Sequence, residues 1–214
     1  GCTSLECVTF PRSLISFWAR AFQGCTSLQS IDFSGAKISK EVSRAGVEWF
    51  ADCTSLTEIK NYGGLEYINA SLFKNTPLQS VENGMTITLG WLLKVSPEEL
   101  PRVVVVPEGV TKICDYAFSR CKTLESIKFP STLKKIGDCA FQNCANIKEL
   151  NFPDSLVSIG EYTFYGCASI KKLELGNNVK DIGISGFGWC KNLELVIMDK
   201  SLSHVRAGAF DDCQ

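Results

Sequence analysis

The chain has 214 residues, of which 45% are hydrophobic and 21% are charged, and its formal net charge is -1. This composition is that of a globular protein with a sizeable core, and it argues against intrinsic disorder. Acidic and basic residues are spread without a basic stripe, which argues against nucleic acid as a partner. No stretch approaches the ~20 apolar residues of a membrane span.

In chain order, the first recurring element is a phenylalanine followed three residues later by a cysteine. The pair occurs at Phe22/Cys25, Phe50/Cys53, Phe118/Cys121, Phe141/Cys144, Phe164/Cys167, Phe187/Cys190 and Phe210/Cys213. The last five copies are 23 residues apart, Cys2 lies 23 residues before Cys25, and Phe73/Thr76 is a copy with threonine in the cysteine position. Self-similarity at a fixed period of about 20–50 residues is the signature of a repeat architecture.

Two departures from the period divide the chain. The spacing from Cys25 to Cys53 is 28, so five residues are inserted, and the spacing from Cys53 to Cys121 is 68, one short of three periods. We therefore predict one solenoid over residues 1–214, cut from a longer protein at both ends. Its predicted parts are regular repeats at 2–60 with an insertion near 34–46, degenerate repeats at 61–109, and regular repeats at 110–214.

Each repeat contains three short segments. "LESIKFP" (124–130) alternates apolar and polar residues, which is typical of a half-buried strand, and proline ends it. "LKKIG" (133–137) indicates a second extended piece, and "DCAFQNC" (138–144) is long enough for one helical turn. Because a single repeat cannot bury its apolar face, the repeats must stack. We predict an α/β repeat solenoid of about nine turns, each with short parallel strands and a short helical turn.

The cysteines fall mainly into one column of this repeat. We interpret Cys25, Cys53, Cys121, Cys144, Cys167 and Cys190, with Phe118, Phe141, Phe164 and Phe187, as a structural ladder whose thiols meet backbone carbonyls. Thr76 in the same position favours packing. Disulfide bonds along the column are the alternative, although 11 cysteines leave at least one thiol unpaired.

Catalytic and metal-binding motifs are absent from the sequence. There is no Cys-x-x-Cys or Cys/His pair of zinc-site spacing, and His204 is the only histidine. The chain also lacks the nucleophile-elbow, phosphate-loop and HExxH patterns. We expect no enzyme activity, no cofactor and no metal.

The repeats "IGDCAFQNCANIKELNFPDSLVSI" (136–159) and "IGEYTFYGCASIKKLELGNNVKDI" (159–182) resemble the BspA-like (Treponema pallidum-type) leucine-rich repeat. The resemblance covers nearly the whole chain and departs most at 61–106. It implies a right-handed leucine-rich-repeat superhelix from an extracellular or cell-surface protein of a host-associated microbe. It further implies a non-enzymatic protein-binding or adhesion module with a protein or glycan ligand, host-derived ligands included.

Outward-facing strand residues form the candidate binding face. These are the residues on either side of the buried strand positions: Asp32, Glu58, Lys60, Lys128, Glu149, Asn151, Lys172, Glu174, Leu195 and Ile197. Trp189 joins them as a candidate because it takes the position held by Arg120, Asn143 and Gly166 in other repeats, and aromatic residues are favoured at binding hot spots.

Two other functions stay open at this point. The chain could be a structural spacer with no ligand of its own. A regular repeat with a surface of mixed charge suits that function equally well. It could also be an intracellular scaffold or inhibitor, since reducing compartments keep many thiols free. In each case the open strand edges at the two ends of the solenoid invite end-to-end self-association.

Overall fold

The computed structural model describes residues 1–15, 18–38, 48–65, 68 and 71–213. These residues form two compact units, Gly1–Ser80 and Val81–Gln214. The single-solenoid organisation of 1–214, with its boundaries near 60 and 109, stays a prediction. From residue 39 onward, the predicted insertion at 34–46 lies outside the described residues.

The first unit is built on a parallel sheet of three short strands. These are β1 (Cys7–Thr9), β2 (Ser30–Asp32) and β3 (Glu58–Lys60), in the order β1-β2-β3. Their middle residues Val8, Ile31 and Ile59 are in register and point into the unit. This is the alternation that the sequence predicts, because successive side chains of a strand point to opposite faces.

The remaining strands belong to two further sheets. In chain order they are β4 (Gln79–Glu82), β5 (Met85–Thr88), β6 (Trp91–Val95), β7 (Val103–Val105), β8 (Lys112–Ile113), β9 (Ser126–Lys128), β10 (Lys135–Ile136), β11 (Glu149–Asn151), β12 (Ser158–Ile159), β13 (Lys172–Glu174), β14 (Asp181–Ile182), β15 (Leu195–Ile197) and β16 (His204–Val205). One sheet has the order β15-β13-β11-β9-β7, and the other has the order β16-β14-β12-β10-β8-β6-β5-β4.

We call β1–β3, β7, β9, β11, β13 and β15 the front strands, and β8, β10, β12, β14 and β16 the back strands. Both sets are parallel and keep the 23-residue register, as in Ile127 opposite Leu150 and Ile136 opposite Ile159. The exception is β2 with β3, where the offset is 28 residues, as in Ile31 opposite Ile59. The described residues contain three front strands in the first unit and five in the second, so the predicted count of about nine turns is not reached.

Hydrogen-bonded turns replace the predicted helical turn. In 138–143 the N–H groups of Cys139, Phe141 and Asn143 donate to carbonyls of the next repeat at 2.8 Å. The intervening N–H groups bond within the turn. Cys139 and Asn143 have φ of 54° and 59°, so two left-handed residues interrupt the right-handed backbone a helix requires. The helical-turn prediction is therefore not confirmed; a 3-10 turn at Tyr62–Gly64 is the one helical element described.

The degenerate segment contains an antiparallel hairpin, which the sequence analysis missed. Strands β5 and β6 pair through the two-residue turn Leu89–Gly90. Both turn residues have positive φ, 53° and 72°, which is the geometry of the tight turn that matches strand twist. Strand β6 then lies parallel to β8, so the back sheet continues into the regular repeats.

Stacked phenylalanines form the centre of the core. In the second unit the ring centroids of Phe118, Phe141, Phe164 and Phe187 follow one another at 4.8, 5.1 and 5.1 Å, with nearly parallel planes. All four side chains are fully buried. In the first unit Phe50 stacks in the same manner on Phe22 and Phe73. The 23-residue register thus places identical rings face to face, an arrangement that adds to the stability gained from burial.

Candidate functional site

The front strands of the second unit present two parallel rows of side chains. One row contains Val103, Ser126, Glu149, Lys172 and Leu195, and the other contains Val105, Lys128, Asn151, Glu174 and Ile197. The structure therefore brings together the seven strand candidates between 128 and 197, and Trp189 is not among them. In the first unit Asp32, Glu58 and Lys60 lie on the corresponding strands.

A shallow groove of about 550 Å³ crosses the middle of this face. Its lining includes Glu149, Asn151, Lys172 and Glu174 from the predicted rows. It also includes residues that the sequence analysis missed, namely Lys148, Leu150, Ser169, Lys171 and Asn192. Lys148 and Lys171 stand one residue before their front strands and 23 residues apart, so a column one position earlier in the repeat could have found them.

Charges on the face differ in whether they have partners. Lys172 pairs with Glu174 at 3.1 Å along β13, and Lys60 pairs with Glu58 at 3.2 Å along β3. In the part of the chain that the structure describes, no hydrogen bond or ion pair joins the side chains of Lys128, Glu149 or Asn151 to another residue. These three side chains are exposed and available to a ligand.

Glu125 forms an ion-pair bridge beside the groove. Its carboxylate accepts hydrogen bonds from Lys148 at 3.0 Å and from Arg102 at 2.8 Å. The two bonds lower the pKa of Glu125, with Lys148 the larger cause. Because all three side chains are solvent-accessible, we assign the bridge little stability. It does hold the Lys148 ammonium at the groove edge.

Asp32 is engaged by its own loop. Its Oδ1 accepts hydrogen bonds from Asn61 Nδ2 at 2.8 Å and from the Ser34 N–H at 2.7 Å, and both lower its pKa. The carboxylate thereby fixes the bend after β2, where Ser34 has a φ of 46°. Of the candidates in the first unit, Asp32 is the one whose side chain already has a structural role.

The two outer strands of the five-stranded front sheet carry apolar side chains. Val103 and Val105 are 51% and 59% exposed, and Leu195 and Ile197 are 49% and 41% exposed. The valines of the "VVVV" run at 103–106 were not among the predicted site residues, because this run lies in the segment predicted as degenerate repeats. The face therefore has a charged centre between two apolar margins.

A sequence model described as the BspA type leucine rich repeat region matches residues 1–89 and 101–214 in six copies. The chain belongs to this family. Among curated proteins, no sequence matches the chain.

Two solved structures are similar to this BspA-type chain. A leucine rich cell surface protein from Faecalibacterium prausnitzii is 22% identical with a TM-score of 0.63, over 99% of this chain and 58% of that one. The pneumococcal vaccine antigen PcpA is 16% identical with a TM-score of 0.53, over 92% of this chain and 66% of that one. The likeness shows the leucine-rich-repeat fold, and the chain spans less than two thirds of either protein.

The cysteine column of the BspA-type repeats lies inside the fold. Cys25, Cys53, Cys121, Cys144, Cys167 and Cys190 are buried, and all 11 cysteines are free thiols in this structure. The thiols of Cys144 and Cys167 donate to the carbonyls of Phe118 at 2.9 Å and Phe141 at 3.2 Å in the preceding repeats. At the substituted position the Thr76 hydroxyl donates to Phe73 at 2.7 Å.

Burial makes these thiols weak acids. It raises the pKa of Cys144 and of Cys190 from 9.0 to about 12, and that of Cys53 to about 11. Because the thiolate is the nucleophile and the metal ligand, such thiols are inert at neutral pH. In the described residues, no group of three or more His, Cys, Asp or Glu side chains could hold a metal ion.

Trp189 lies away from the other candidates. It is 43% exposed, but it stands in the turn 184–189 and not on a front strand. Trp49 is fully buried and Trp91 has the Lys112 ammonium 3.8 Å above its ring, so both belong to local packing. His204 is exposed on β16. Across the described ranges, no helix is long and apolar enough to cross a membrane.

Proposed function

We propose that this chain is a non-enzymatic module of a cell-surface or secreted protein, and that its front face binds a protein ligand. Membership of the BspA-type family supports a repeat scaffold. The similar protein from Faecalibacterium prausnitzii is described as a cell surface protein, which supports the location. Single-solenoid continuity through the degenerate segment is part of the same proposal.

The observation that carries the proposal is the set of unpaired polar side chains on the front face. Lys128, Glu149 and Asn151 stand on adjacent strands, exposed and without partners in the described residues, beside the 550 Å³ groove. Extended faces of this kind are what repeat proteins use for binding. The exposed apolar side chains at Val103 and Leu195 add apolar surface that a protein ligand can bury.

Charge reversal on this face tests the proposal. We expect Lys128→Glu and Glu149→Lys each to weaken binding at least about tenfold, a change of about 1.4 kcal/mol, because a complementary partner then meets a like charge. The melting temperature should stay unchanged, since both side chains are exposed. Biolayer interferometry against a panel of purified extracellular-matrix proteins measures the effect.

The control is Lys134→Glu, the same charge change at an exposed lysine outside the front strands. Equal loss of binding in the control, or no loss in either face variant, would place the site elsewhere. If the panel gives no saturable binding at all, the spacer function gains support. The ion pairs Lys172–Glu174 and Lys60–Glu58, which satisfy face charges internally, favour that second candidate.

A further inference from the structure

The residue before each column cysteine has a left-handed backbone conformation. The φ angles at this position lie between 54° and 74° for Gly24, Asp52, Asn75, Arg120, Asn143, Gly166, Trp189 and Asp212. Glycine, asparagine and aspartate accept this conformation most readily, and they fill six of these eight positions. Arg120 and Trp189 are the exceptions. A bulky residue in this conformation is strained and calls for an explanation.

Both exceptional side chains remain accessible to solvent. Trp189 keeps 43% of its surface exposed, and Arg120 is exposed as well. The fold would accept asparagine at both positions, as it does at Asn75 and Asn143. The left-handed backbone at Arg120 and Trp189 therefore presents a guanidinium and an indole to solvent, where a ligand can reach them.

Aromatic rings gather around Trp189. Its ring lies 6.2 Å from that of Tyr165 in the preceding turn, and Tyr165 meets Tyr162 edge to face at 5.7 Å. The Lys191 ammonium lies 4.8 Å from the centre of the indole. Gly188 makes room for the Tyr165 ring. Any other residue at position 188 would place its Cβ atom 3.1 Å from that ring. The result is a partly exposed aromatic cluster with a cation beside it.

A groove of about 500 Å³ lies next to this cluster on the same turns. It is lined by Arg120, Lys122, Asn143, Ala145, Asn146 and Gly166, so two cations and two amides line it, and no carboxylate does. Arg120, Asn143, Gly166 and Trp189 are equivalent positions of successive turns joined by hydrogen bonds. At a strand spacing of ~4.8 Å, the row from Arg120 to Trp189 is about 14 Å long.

We propose that this row, Arg120–Asn143–Gly166–Trp189, binds an anionic oligosaccharide. Arg120 and Lys122 pair with a carboxylate or sulfate group of the sugar, since guanidinium groups bind such oxyanions strongly. The Asn143 amide donates to and accepts from hydroxyl groups. At the other end the C–H face of a sugar ring packs on Trp189 and Tyr165, because the faces of aromatic rings have a partial negative charge that attracts C–H groups.

The size of the row favours a glycan over a protein. A stable protein interface buries about 800 Å² on each partner, whereas this site comprises one narrow row of side chains and three aromatic rings. The row also lies on the turns, apart from the front strands. It is therefore a second site, and its ligand is of another class than the one proposed for the front face.

The test uses isothermal titration with a heparin-derived tetrasaccharide and sialyllactose as anionic probes, and with lactose as the neutral probe. We expect Arg120→Asn and Trp189→Asn each to weaken binding of an anionic probe at least about tenfold, a loss typical of a binding hot spot. Arg120→Asn should leave the melting temperature unchanged or raised, because asparagine accepts the left-handed conformation more readily. Trp189→Asn also loses the ring contact with Tyr165, so its circular dichroism spectrum is compared with that of the parent protein to show that it folds. Lys128→Glu on the front face should leave this affinity unchanged, which separates the two proposals.

Several results would overturn the inference. One is that neither anionic probe binds at physiological salt. Another is that lactose binds with the same affinity as the anionic probes. Equal loss of binding in Lys128→Glu would indicate general charge attraction. If Trp189→Asn instead weakened binding of a matrix protein, the row would be part of a protein interface and the glycan assignment would be wrong.

Discussion

Replacing Phe164 by alanine is expected to destabilise the protein by about 3–5 kcal/mol. The Phe164 ring is fully buried and lies 5.1 Å from both Phe141 and Phe187. Removing it leaves a cavity between two rings that are each held by further stacking neighbours, so the site cannot collapse. For a chain of this size the melting temperature should fall by about 10 °C. Urea denaturation followed by tryptophan fluorescence measures the loss.

Phe210→Ala is the matched control, because Phe210 stacks on Phe187 alone, at 5.6 Å, and is only partly buried. It should cost clearly less than Phe164→Ala. If the two substitutions cost the same, the stacked core would not be the main source of stability in the second unit.

Alkaline pH is expected to unfold the protein by about pH 11. Burial raises the pKa of Cys114, Cys144 and Cys190 from 9.0 to about 12. Because the thiol pKa is higher in the folded protein than in the unfolded chain, the protonated thiols contribute their full stabilisation below pH 9. This stabilisation is lost as the pH rises towards 12. One pKa unit corresponds to about 1.4 kcal/mol. At pH 10.5 each of the three thiols has therefore lowered the free energy of unfolding by about 2 kcal/mol. Three such losses rival the whole stability of a typical domain, about 5–15 kcal/mol.

Circular dichroism at increasing pH, with reductant present, measures this transition. Lysine and tyrosine side chains also titrate in this range, so the control must remove the thiols alone. The variant Cys144→Thr/Cys190→Thr removes two of these three thiols and uses the residue that the chain itself has at Thr76. Its unfolding midpoint should move to higher pH. An unchanged midpoint would assign the alkaline transition to other groups.

The sequence predicted the front strands well because packing repeats at a fixed interval. Ile127, Leu150 and Leu173 occupy one column, and the structure places them opposite one another at the buried centre of successive strands. The outward positions follow by alternation alone. For this reason Lys128 and Asn151 could be placed on one face without knowledge of the structure.

The turns could not be predicted in the same way. "DCAFQNC" has the length and composition of a helical turn, but its conformation is decided by hydrogen bonds to the next repeat, as in Phe141 to Thr163. Such bonds depend on a neighbour 22 residues away and leave no local signal. The hairpin at Leu89–Gly90 was missed for a related reason, since leucine is rarely found in a left-handed turn.

The candidate site was predicted in part. The strand rows could be read from alternation, whereas Trp189 was assigned with them although it stands on a turn. Its left-handed backbone conformation could not be read from the sequence, so the contrast with Asn143 and Gly166 at the same position indicated an outward side chain but not its place on the turn. Lys148 and Lys171 were missed because they lie one residue before their strands, outside the alternating positions.

The ladders between neighbouring turns also bear on how such a chain can change in length. Front strands and back strands of the regular repeats pair each residue with the one 23 positions later. Deleting or duplicating one whole period therefore leaves each remaining ladder closed, whereas one residue more or less inside a strand turns polar groups inward. A gene encoding this protein can grow or shrink by recombination in units of one period without requiring a new core, and each added unit lengthens the recognition surface by the same increment.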